Sequence, residues 1–448
     1  MMLSNRIKIE QILLLGVLVS LVLPLAITLP LFRLATWNIP GLMLLLWIVL
    51  RGANRQRFRL DNFDLWEYSI LGVILIYFIM TILGREPLLN IASLNHYISC
   101  LILALYIRRS YGKILTSKNL IVFAFISVGL ESIIGLIQQI TSSEFGNVSQ
   151  FFGQTPETLD LKSIFGTDIG RIHGTLGTGN LVGNWINLFI PFIIFSSKYF
   201  NDKDYRIWRS LIVILSLIAI ILSISRFNIA LYIAILLFSF LLFVKNNLNH
   251  KIKLKIRLSS FLFMIIIMTV SIGSLVVFRE DVYMLRYVVD ARFSDTFEEA
   301  SEEGKATSGI DARMEMNKGA LQAFMRSPLI GVGYKNSRWI WPTVDAHVPD
   351  NWVYQPHNVY MVMLVEGGIL LFIIYVVFTF YPFFKLWRCR KSNEPLMIAY
   401  FLSLTVGIGI QMIYITFTSP IFAGVYTMIL GCAMGYVDQE LIKLKGKS

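Results

Sequence analysis

The sequence predicts an all-α, polytopic membrane protein with about twelve transmembrane helices and a large, partly helical extracytoplasmic loop. Hydrophobic residues make up 56% of the 448 residues, and the mean hydropathy is +0.65. Only 15% of the residues are charged, whereas a soluble domain carries roughly 25%. The apolar residues also fall in runs that approach the length of about 20 residues needed to cross a bilayer.

Each apolar run is predicted as one membrane span. The second run is short, and only the polar step from Ser223 to Asn228 separates the seventh from the eighth. In chain order the predicted spans are 12–31, 39–50, 66–83, 91–107, 119–139, 178–197, 208–224, 226–244, 259–278, 357–380, 396–416 and 420–437.

These spans divide the chain into three regions. Residues 1–278 form an N-terminal transmembrane region of about nine helices, interrupted by an extracytoplasmic segment near 140–177. Residues 279–356 form a large extracytoplasmic loop, with helices predicted near 281–293 and 311–326. Residues 357–448 form a C-terminal transmembrane region of about three helices. Loops of such length are usually functional or disordered, and the tryptophans of the second one argue against disorder.

The distribution of Lys and Arg predicts the orientation. The net charge is +12, from 40 basic and 28 acidic residues, and alternate short loops are basic: 51–59, 108–118, 198–209, 245–257 and 385–391. Because cytoplasmic loops are rich in Lys and Arg, both termini are predicted to be cytoplasmic, and the first apolar run is predicted to be an uncleaved helix. The two long segments, near 140–177 and at 279–356, are then predicted to be extracytoplasmic. The charge is a topology signal and does not predict nucleic-acid binding.

Several kinds of chemistry find no support in the sequence. The three cysteines form no CxxC or zinc spacing. The single Asp-x-Asp, at residues 202–204, lies on the predicted cytoplasmic side. The acidic run 298–303 is typical of a solvated loop face. No metal and no cofactor are therefore predicted.

Two arginines on the outer side are candidates for binding an anion. Arg313 opens an amphipathic helix that stops at Ser327-Pro328; it is either solvated at the membrane surface or presents its planar guanidinium to a diphosphate. Arg226 lies between two apolar runs, where a charge is costly. It either extends to the interface or faces a polar cavity.

Further candidates lie on the same side. Arg171 and His173 precede the glycine-rich GTLGTGN, which is not a P-loop because no GK[ST] follows. His357 comes directly before Asn358 at the start of the tenth span, and its ordinary pKa of about 6.5 suits a general base; His347 is the competing histidine. Glu366 lies inside the same span, where a carboxylate needs a partner or a cavity.

This series of motifs resembles the O-antigen ligase and O-antigen polymerase superfamily. The resemblance rests on Arg171-x-x-Gly174, Ser225-Arg226, Arg313 followed by Ala320 and SPLIGVG, His357-Asn358, and Glu366-Gly367-Gly368, in this order across about residues 171–374. It implies a C-type membrane glycosyltransferase fold and metal-independent, inverting transfer from an undecaprenyl-diphosphate-linked glycan to a glycan or lipid-core acceptor. The remaining partners would be membrane lipids. Together with the predicted topology, the resemblance implies a cytoplasmic (inner) membrane protein with an extracytoplasmic active face.

The resemblance also implies roles for single residues. Arg226 and Arg313 would bind the donor diphosphate, with Arg171 and His173 nearby, and His357 would activate the acceptor hydroxyl. In the outer loop, Arg338, Trp339, Trp341 and Trp352 would meet the glycan, although an interfacial aromatic belt explains the tryptophans equally well. Asn358 and Glu366 would line the site.

Two other functions stay open. A bicarbonate-type membrane transporter is one, since relatives of this superfamily have been assigned to that role. A non-catalytic component of a polysaccharide export complex is the other. The motifs are shared by ligases and polymerases and do not separate them.

Overall fold

A computed structural model describes residues 11–17, 26–28, 33–35, 63–82, 87–141, 145, 172–200, 203–223, 225–248, 309–334, 336, 356, 358–389, 394–413 and 420–445. Within them, helices dominate. Residues 11–17 are helical, and the further helices are α1 (Leu65–Ile82), α2 (Pro87–Ser110), α3 (Ser117–Thr141), α4 (Gly179–Ile194), α5 (Lys203–Leu222), α6 (Arg226–Leu248), α7 (Gly309–Arg326), α8 (Val359–Arg388), α9 (Pro395–Ile413) and α10 (Pro420–Lys445). A 3₁₀ turn, Phe195–Lys198, extends α4.

The described helices agree closely with the predicted spans. Of them, α1, α3, α4 with its extension, α5, α8 and α9 are long and apolar enough to cross a membrane, which confirms a multi-pass membrane protein. The polar step at Ser223 does separate α5 from α6, and α7 coincides with the helix predicted in the outer loop. The predicted spans 39–50 and 259–278 and the helix near 281–293 lie outside the described residues, so the total of about twelve stays a prediction.

The first predicted span, 12–31, is wrong in its second half. Ala26–Thr28 and Arg33–Ala35 form the antiparallel strands β1 and β2, with Ile27 opposite Leu34. The apolar run contains two prolines, Pro24 and Pro30. A proline inside a helix removes a hydrogen bond and clashes with the preceding turn, and Pro30 stands in the sequence between the two strands.

The helices pack through aromatic side chains and close backbone contacts. Trp66 of α1 donates its indole N–H to the Phe378 carbonyl of α8 at 2.9 Å and stacks on that ring. The helices α2 and α10 approach each other closely at Gly431, where a Cβ atom would lie 2.5 Å from the Ala104 carbonyl oxygen. Large apolar side chains such as Ile126 and Leu241 are exposed on the outside of the bundle, as expected for a surface that faces lipid.

One end of the bundle is tied together by ion pairs. Arg108 at the end of α2 binds Asp64 before α1 through two hydrogen bonds of 2.8 Å, and its Nε donates to Asp438 of α10 at 2.9 Å. Arg109 pairs with Glu67, whose side chain is 1% exposed. We call this the charged end and the opposite one the far end. The basic loops predicted on one side, around 108–118 and 385–391, do meet here, since Lys385 also approaches Asp64 at 4.0 Å.

The electrostatics of Asp64 give this cluster a pH dependence. Burial by itself raises the pKa of the Asp64 carboxyl, but the hydrogen bonds and charge of Arg108 outweigh it and hold the pKa below its ordinary value of 3.8. A lowered folded-state pKa stabilises the protein at pH values above the ordinary one. This contribution is therefore present at neutral pH and is lost as the pH falls below 3.8 through the folded-state value.

Removing the central arginine should loosen the bundle. Arg108→Ala leaves Asp64 and Glu67 without their shared cation, and we expect a loss of about 2 kcal/mol. This lies between the roughly 3–5 kcal/mol of a fully buried pair and the roughly 0–1 kcal/mol of an exposed one. Thermal unfolding in detergent would measure it. Lys443→Ala is the control, because Lys443 is 65% exposed and pairs only locally with Glu440; equal effects of the two variants would contradict the prediction.

Candidate active site

Helix α8 is broken at Gly368, whose φ of 64° and ψ of −167° are not helical. In an unbroken helix the carbonyls of Val365 and Glu366 would accept from residues 369 and 370. Here Val365 accepts from the Val332 N–H and Glu366 from the Gly333 N–H, each at 2.9 Å. The Ile369 N–H in turn donates to the Pro328 carbonyl at 2.8 Å. We call this pairing of 328–333 with 365–369 the glycine crossing.

Only glycine fits at the centre of the crossing. A Cβ atom on Gly368 would lie 2.4 Å from the Leu329 carbonyl oxygen, and one on Gly331 would lie 2.4 Å from the Glu366 carbonyl oxygen. Both glycines also have positive φ, at 64° and 70°, a region that other residues enter at a cost. Two stretches of backbone therefore pair directly at these glycines.

The crossing joins the two segments that carry Arg313 and His357. Helix α7 packs on α8 through the buried Met316, Ala320 and Ala323, with Val365 and Met361 on the other side. Arg313 is the fifth residue of α7, three residues before Met316. His357 lies outside the described residues, four positions before Met361 in the sequence.

The start of α8 is fixed by a side-chain cap. Asn358 has extended backbone, and its side-chain oxygen accepts from the N–H groups of Tyr360 and Met361 at 2.9 and 3.2 Å. An N-cap of this type stabilises a helix by about 1 kcal/mol. Asn358, which was predicted to line the site, therefore also determines where α8 begins, two positions after His357.

Glu366 is buried beneath an aromatic cluster. Its side chain is 1% exposed and lies within electrostatic range of Tyr77 of α1 and Tyr97 of α2. The rings of Tyr77 and Tyr97 stack at 5.6 Å, and Tyr334, just after the crossing, packs edge-on against both. This cluster anchors the exit of the crossing to α1 and α2.

A second group of candidates meets where α5 ends and α6 begins. The Ile172 N–H donates to the Leu222 carbonyl at 3.4 Å. This bond places Ile172, the residue that follows Arg171 in the sequence, beside the end of α5. Arg226, four residues after Leu222, is the first residue of α6. We call the place defined by Ile172 and Leu222, with their sequence neighbours Arg171 and Arg226, the arginine corner.

The loop that enters the corner is held by two buried side chains of α3. The Gln138 amide oxygen accepts from the N–H groups of His173 and Gly174, both at 2.9 Å, and its nitrogen donates to the Gly174 carbonyl at 2.9 Å. Glu131 accepts from the Thr175 N–H at 3.0 Å and from its hydroxyl. The two side chains thereby satisfy backbone groups that would otherwise be costly to bury in a membrane.

The loop at residues 172–178 is tightly packed, so its conformation is restricted. Gly174 has φ of 55°, and a Cβ atom there would lie 2.1 Å from the Glu131 carboxylate. His173, predicted to contact substrate, is buried in the loop at 7% exposure. Thr178 caps α4 by accepting from the Leu181 N–H at 3.2 Å.

An asparagine of α6 connects the corner to α4. Asn228 donates to the Asn180 carbonyl at 3.2 Å and to the Ser225 hydroxyl at 2.9 Å. Asn187 donates to the Asn228 carbonyl at 3.0 Å, and Gly183 lets the helices approach, because a Cβ there would lie 2.6 Å from the Asn228 nitrogen. The polar residues from Ser223 to Asn228, which the sequence predicted only as a break between two helices, thus also connect α6 to α4 through hydrogen bonds.

The predicted site residues therefore fall into two described places. Arg313, Asn358 and Glu366 belong to the segments joined by the glycine crossing, and His173 and Arg226 to the arginine corner. Six others lie outside the described residues: Arg171, Arg338, Trp339, Trp341, Trp352 and His357. Sequence reasoning missed Glu131 and Gln138, whose only signal was polarity inside an apolar run.

The fold and the site together define a multi-pass membrane protein with two polar, glycine-rich structures among its described helices. Residues 211–376 match the family model described as O-antigen ligase, a range that runs from within α5 past the break in α8. This stretch of the chain is therefore similar to the O-antigen ligase family, which supports the resemblance seen in the sequence. A search of curated proteins found no match.

The glycine crossing can be tested by adding one methyl group. Gly368→Ala places a Cβ against the Leu329 carbonyl in a left-handed conformation, and we expect at least about 2 kcal/mol of destabilisation, from the left-handed backbone and the clash together. Thermal unfolding in detergent measures this change. Gly129→Ala is the control, since its Cβ would meet Ile212 at an ordinary 3.8 Å; unchanged stability of Gly368→Ala would show that the crossing is not tightly packed.

The anchor of the 172–175 loop can be tested at Gln138. Gln138→Leu leaves the N–H groups of His173 and Gly174 buried without their acceptor. Because each such group costs about 1–3 kcal/mol, we expect a loss of at least about 2 kcal/mol and faster proteolysis near this loop. The neighbouring Gln139 is only partly buried, whereas Gln138 is buried, so Gln139→Leu should change the unfolding temperature little. The same small effect in both variants would be evidence against the anchor.

Proposed function

We propose that this chain transfers a lipid-diphosphate-linked glycan, of the undecaprenyl type, to a hydroxyl acceptor on the outer face of the cytoplasmic membrane. The family match supports the coarser statement, glycan transfer in O-antigen or polysaccharide assembly. The observation that carries the finer proposal is the glycine crossing, since it couples the helix of Arg313 to the helix that begins two residues after His357.

The proposed reaction is a single inverting displacement. The acceptor oxygen attacks the anomeric carbon of the donor sugar while His357 takes the hydroxyl proton. The bond between that carbon and the diphosphate oxygen breaks, and the lipid diphosphate leaves with the electron pair. Arg226 and Arg313 stabilise the negative charge that develops on the leaving group, and Arg171 adds positive charge at the same corner.

The topology of the bundle supports the sidedness of this proposal. The described parts of the basic loops 108–118 and 385–391 meet at the charged end, and Lys198 of a third basic loop pairs with Glu394 at 2.5 Å. The starts of α4, α6 and α8 lie at the far end. If the charged end is cytoplasmic, the candidate residues face outside, with Arg338, Trp339, Trp341 and Trp352 in the loop that would meet the glycan.

Single substitutions test the roles of the two main candidates. We expect Arg313→Ala to lower glycan transfer at least about 100-fold, because it removes a charge that acts on the leaving group. His357→Ala should lower it by about 10²–10⁴-fold through loss of the base. Transfer from purified lipid-linked glycan is the assay, with membrane insertion checked in parallel.

Matched controls make this result specific. Arg326 lies exposed in the last turn of the same helix as Arg313, and Arg326→Ala should keep near-normal transfer. His347→Ala decides between the two histidines of the outer loop region. Full activity of Arg313→Ala and His357→Ala would overturn the site assignment.

The deletion strain distinguishes a ligase from a polymerase. Acceptors that carry a single repeat unit and no long chains would indicate a polymerase. Long polymer that accumulates on the lipid carrier beside unmodified acceptor would indicate a ligase. An unchanged surface glycan with a growth defect at low inorganic carbon would favour the bicarbonate-type transporter instead.

A further inference from the structure

One face of α4 is polar over its first three turns. Asn180, Asn184 and Asn187 recur at the i, i+4 and i+7 spacing that puts side chains on the same side of a helix. We call these three residues the asparagine face. Asn187 bonds to Asn228 of α6, and the adjacent Leu188 carbonyl accepts from Ser403 of α9 at 2.8 Å. The face is therefore directed toward the seam between α6 and α9.

Asn184 stands out within this face. Its side chain is 0% exposed, and neither its amide oxygen nor its amide nitrogen has a hydrogen-bond partner among the described residues. The side-chain oxygen of Asn187 and the indole N–H of Trp185 are in the same condition. Buried polar groups in native proteins are nearly always paired. An amide that is buried without partners therefore points to a group that is absent from the donor-free protein.

The asparagine face begins at the arginine corner and continues along α4 into the bundle. Asn180, in the first turn of α4, accepts from Asn228, which follows Arg226 by two residues. Asn184 lies one turn deeper, about 6 Å along the helix axis at 1.5 Å per residue. Over the corner end of the seam, Gly409 of α9 packs near the Phe227 ring, at 3.8 Å for an added Cβ.

We propose that Asn184, with Asn187 beside it, binds hydroxyl groups of the sugar attached to the donor diphosphate, in a subsite that opens at the seam between α6 and α9. This rests on the proposed function. An amide both donates and accepts, as a sugar hydroxyl does, so one side chain pairs with one or two hydroxyls. A diphosphate would instead seek cations, and the candidates for those are Arg171 and Arg226, the sequence neighbours of the corner.

The decisive variant replaces the amide by an apolar group of similar size. Because the amide is unpartnered in the donor-free protein, Asn184→Leu should raise the unfolding temperature of that protein. It should also raise the KM for lipid-linked glycan at least about tenfold, the equivalent of one lost hydrogen bond. Asn184→Ala is the second variant, in case leucine does not fit; it should raise KM similarly.

A comparison of two ligands isolates the sugar from the diphosphate. Undecaprenyl diphosphate without sugar should raise the unfolding temperature of the wild type and of Asn184→Leu equally. The glycan-bearing donor should stabilise the wild type more than the variant, because bound ligand stabilises in proportion to the logarithm of its affinity. Equal stabilisation by the glycan-bearing donor, or an unchanged KM, would overturn the proposal. A lowered unfolding temperature of the donor-free Asn184→Leu protein would do so as well, since Asn184 would then be held by a water molecule in the resting state.

The controls separate this proposal from the function on which it rests. If Arg313→Ala and His357→Ala abolish transfer while Asn184→Leu has a normal KM, only the sugar subsite is wrong. If all three variants transfer glycan normally, the assignment of the active site fails as well.

Discussion

Three backbone hydrogen bonds between the 328–333 loop and the broken part of α8 are the interaction on which the candidate site depends. A helix that stops inside a membrane exposes carbonyl and N–H groups that lipid cannot satisfy, each at a cost of several kcal/mol. The loop supplies partners for Val365, Glu366 and Ile369. Without the loop, the break would leave these three backbone groups without hydrogen-bond partners inside the membrane.

This pairing has a geometric consequence for the chemistry. A continuous α8 would give α7 only side-chain contacts, which small shifts could rearrange. The crossing instead fixes the C-terminal end of α7 to the middle of α8 at backbone distance, and Met316, Ala320 and Ala323 hold the remainder. Catalytic groups need to be placed within about 0.5 Å of their productive geometry, and a backbone joint gives that rigidity better than apolar packing alone.

The arginine corner follows the same physical rule with a different device. Here an irregular loop enters the bundle, and two side chains of α3 rather than a second backbone satisfy it. Gln138 bonds both sides of the Gly174 peptide region, and Glu131 takes Thr175. Such buried polar side chains are expensive in a membrane, so they persist where irregular backbone has to be held.

The sequence predicts the periodic parts of this molecule well and the long-range parts poorly. The ends of α1, α3 and α5 follow from apolar runs, because membrane length and hydropathy act locally. Long-range contacts produce no local pattern in the sequence. Examples are the hydrogen bond between Gly333 and Glu366 and the bonds of Gln138 to residues 35 and 36 positions away. The hairpin at Ala26–Thr28 was missed for the opposite reason, since its composition is as apolar as that of a span, and only its prolines argued against one.

The same reasoning explains why the polar residues of the interior are informative. In a soluble protein, a buried Asn or Gln often reflects nothing more than a satisfied core. Inside a membrane bundle, insertion selects against each such group, so its partner identifies what the fold requires. Gln138 hydrogen-bonds a loop, and Asn358 hydrogen-bonds the first turn of a helix. The side chain of Asn184 has no hydrogen-bond partner among the described residues. A polar group that is costly to bury and supports no described part of the fold is the one whose partner should be sought in the substrate.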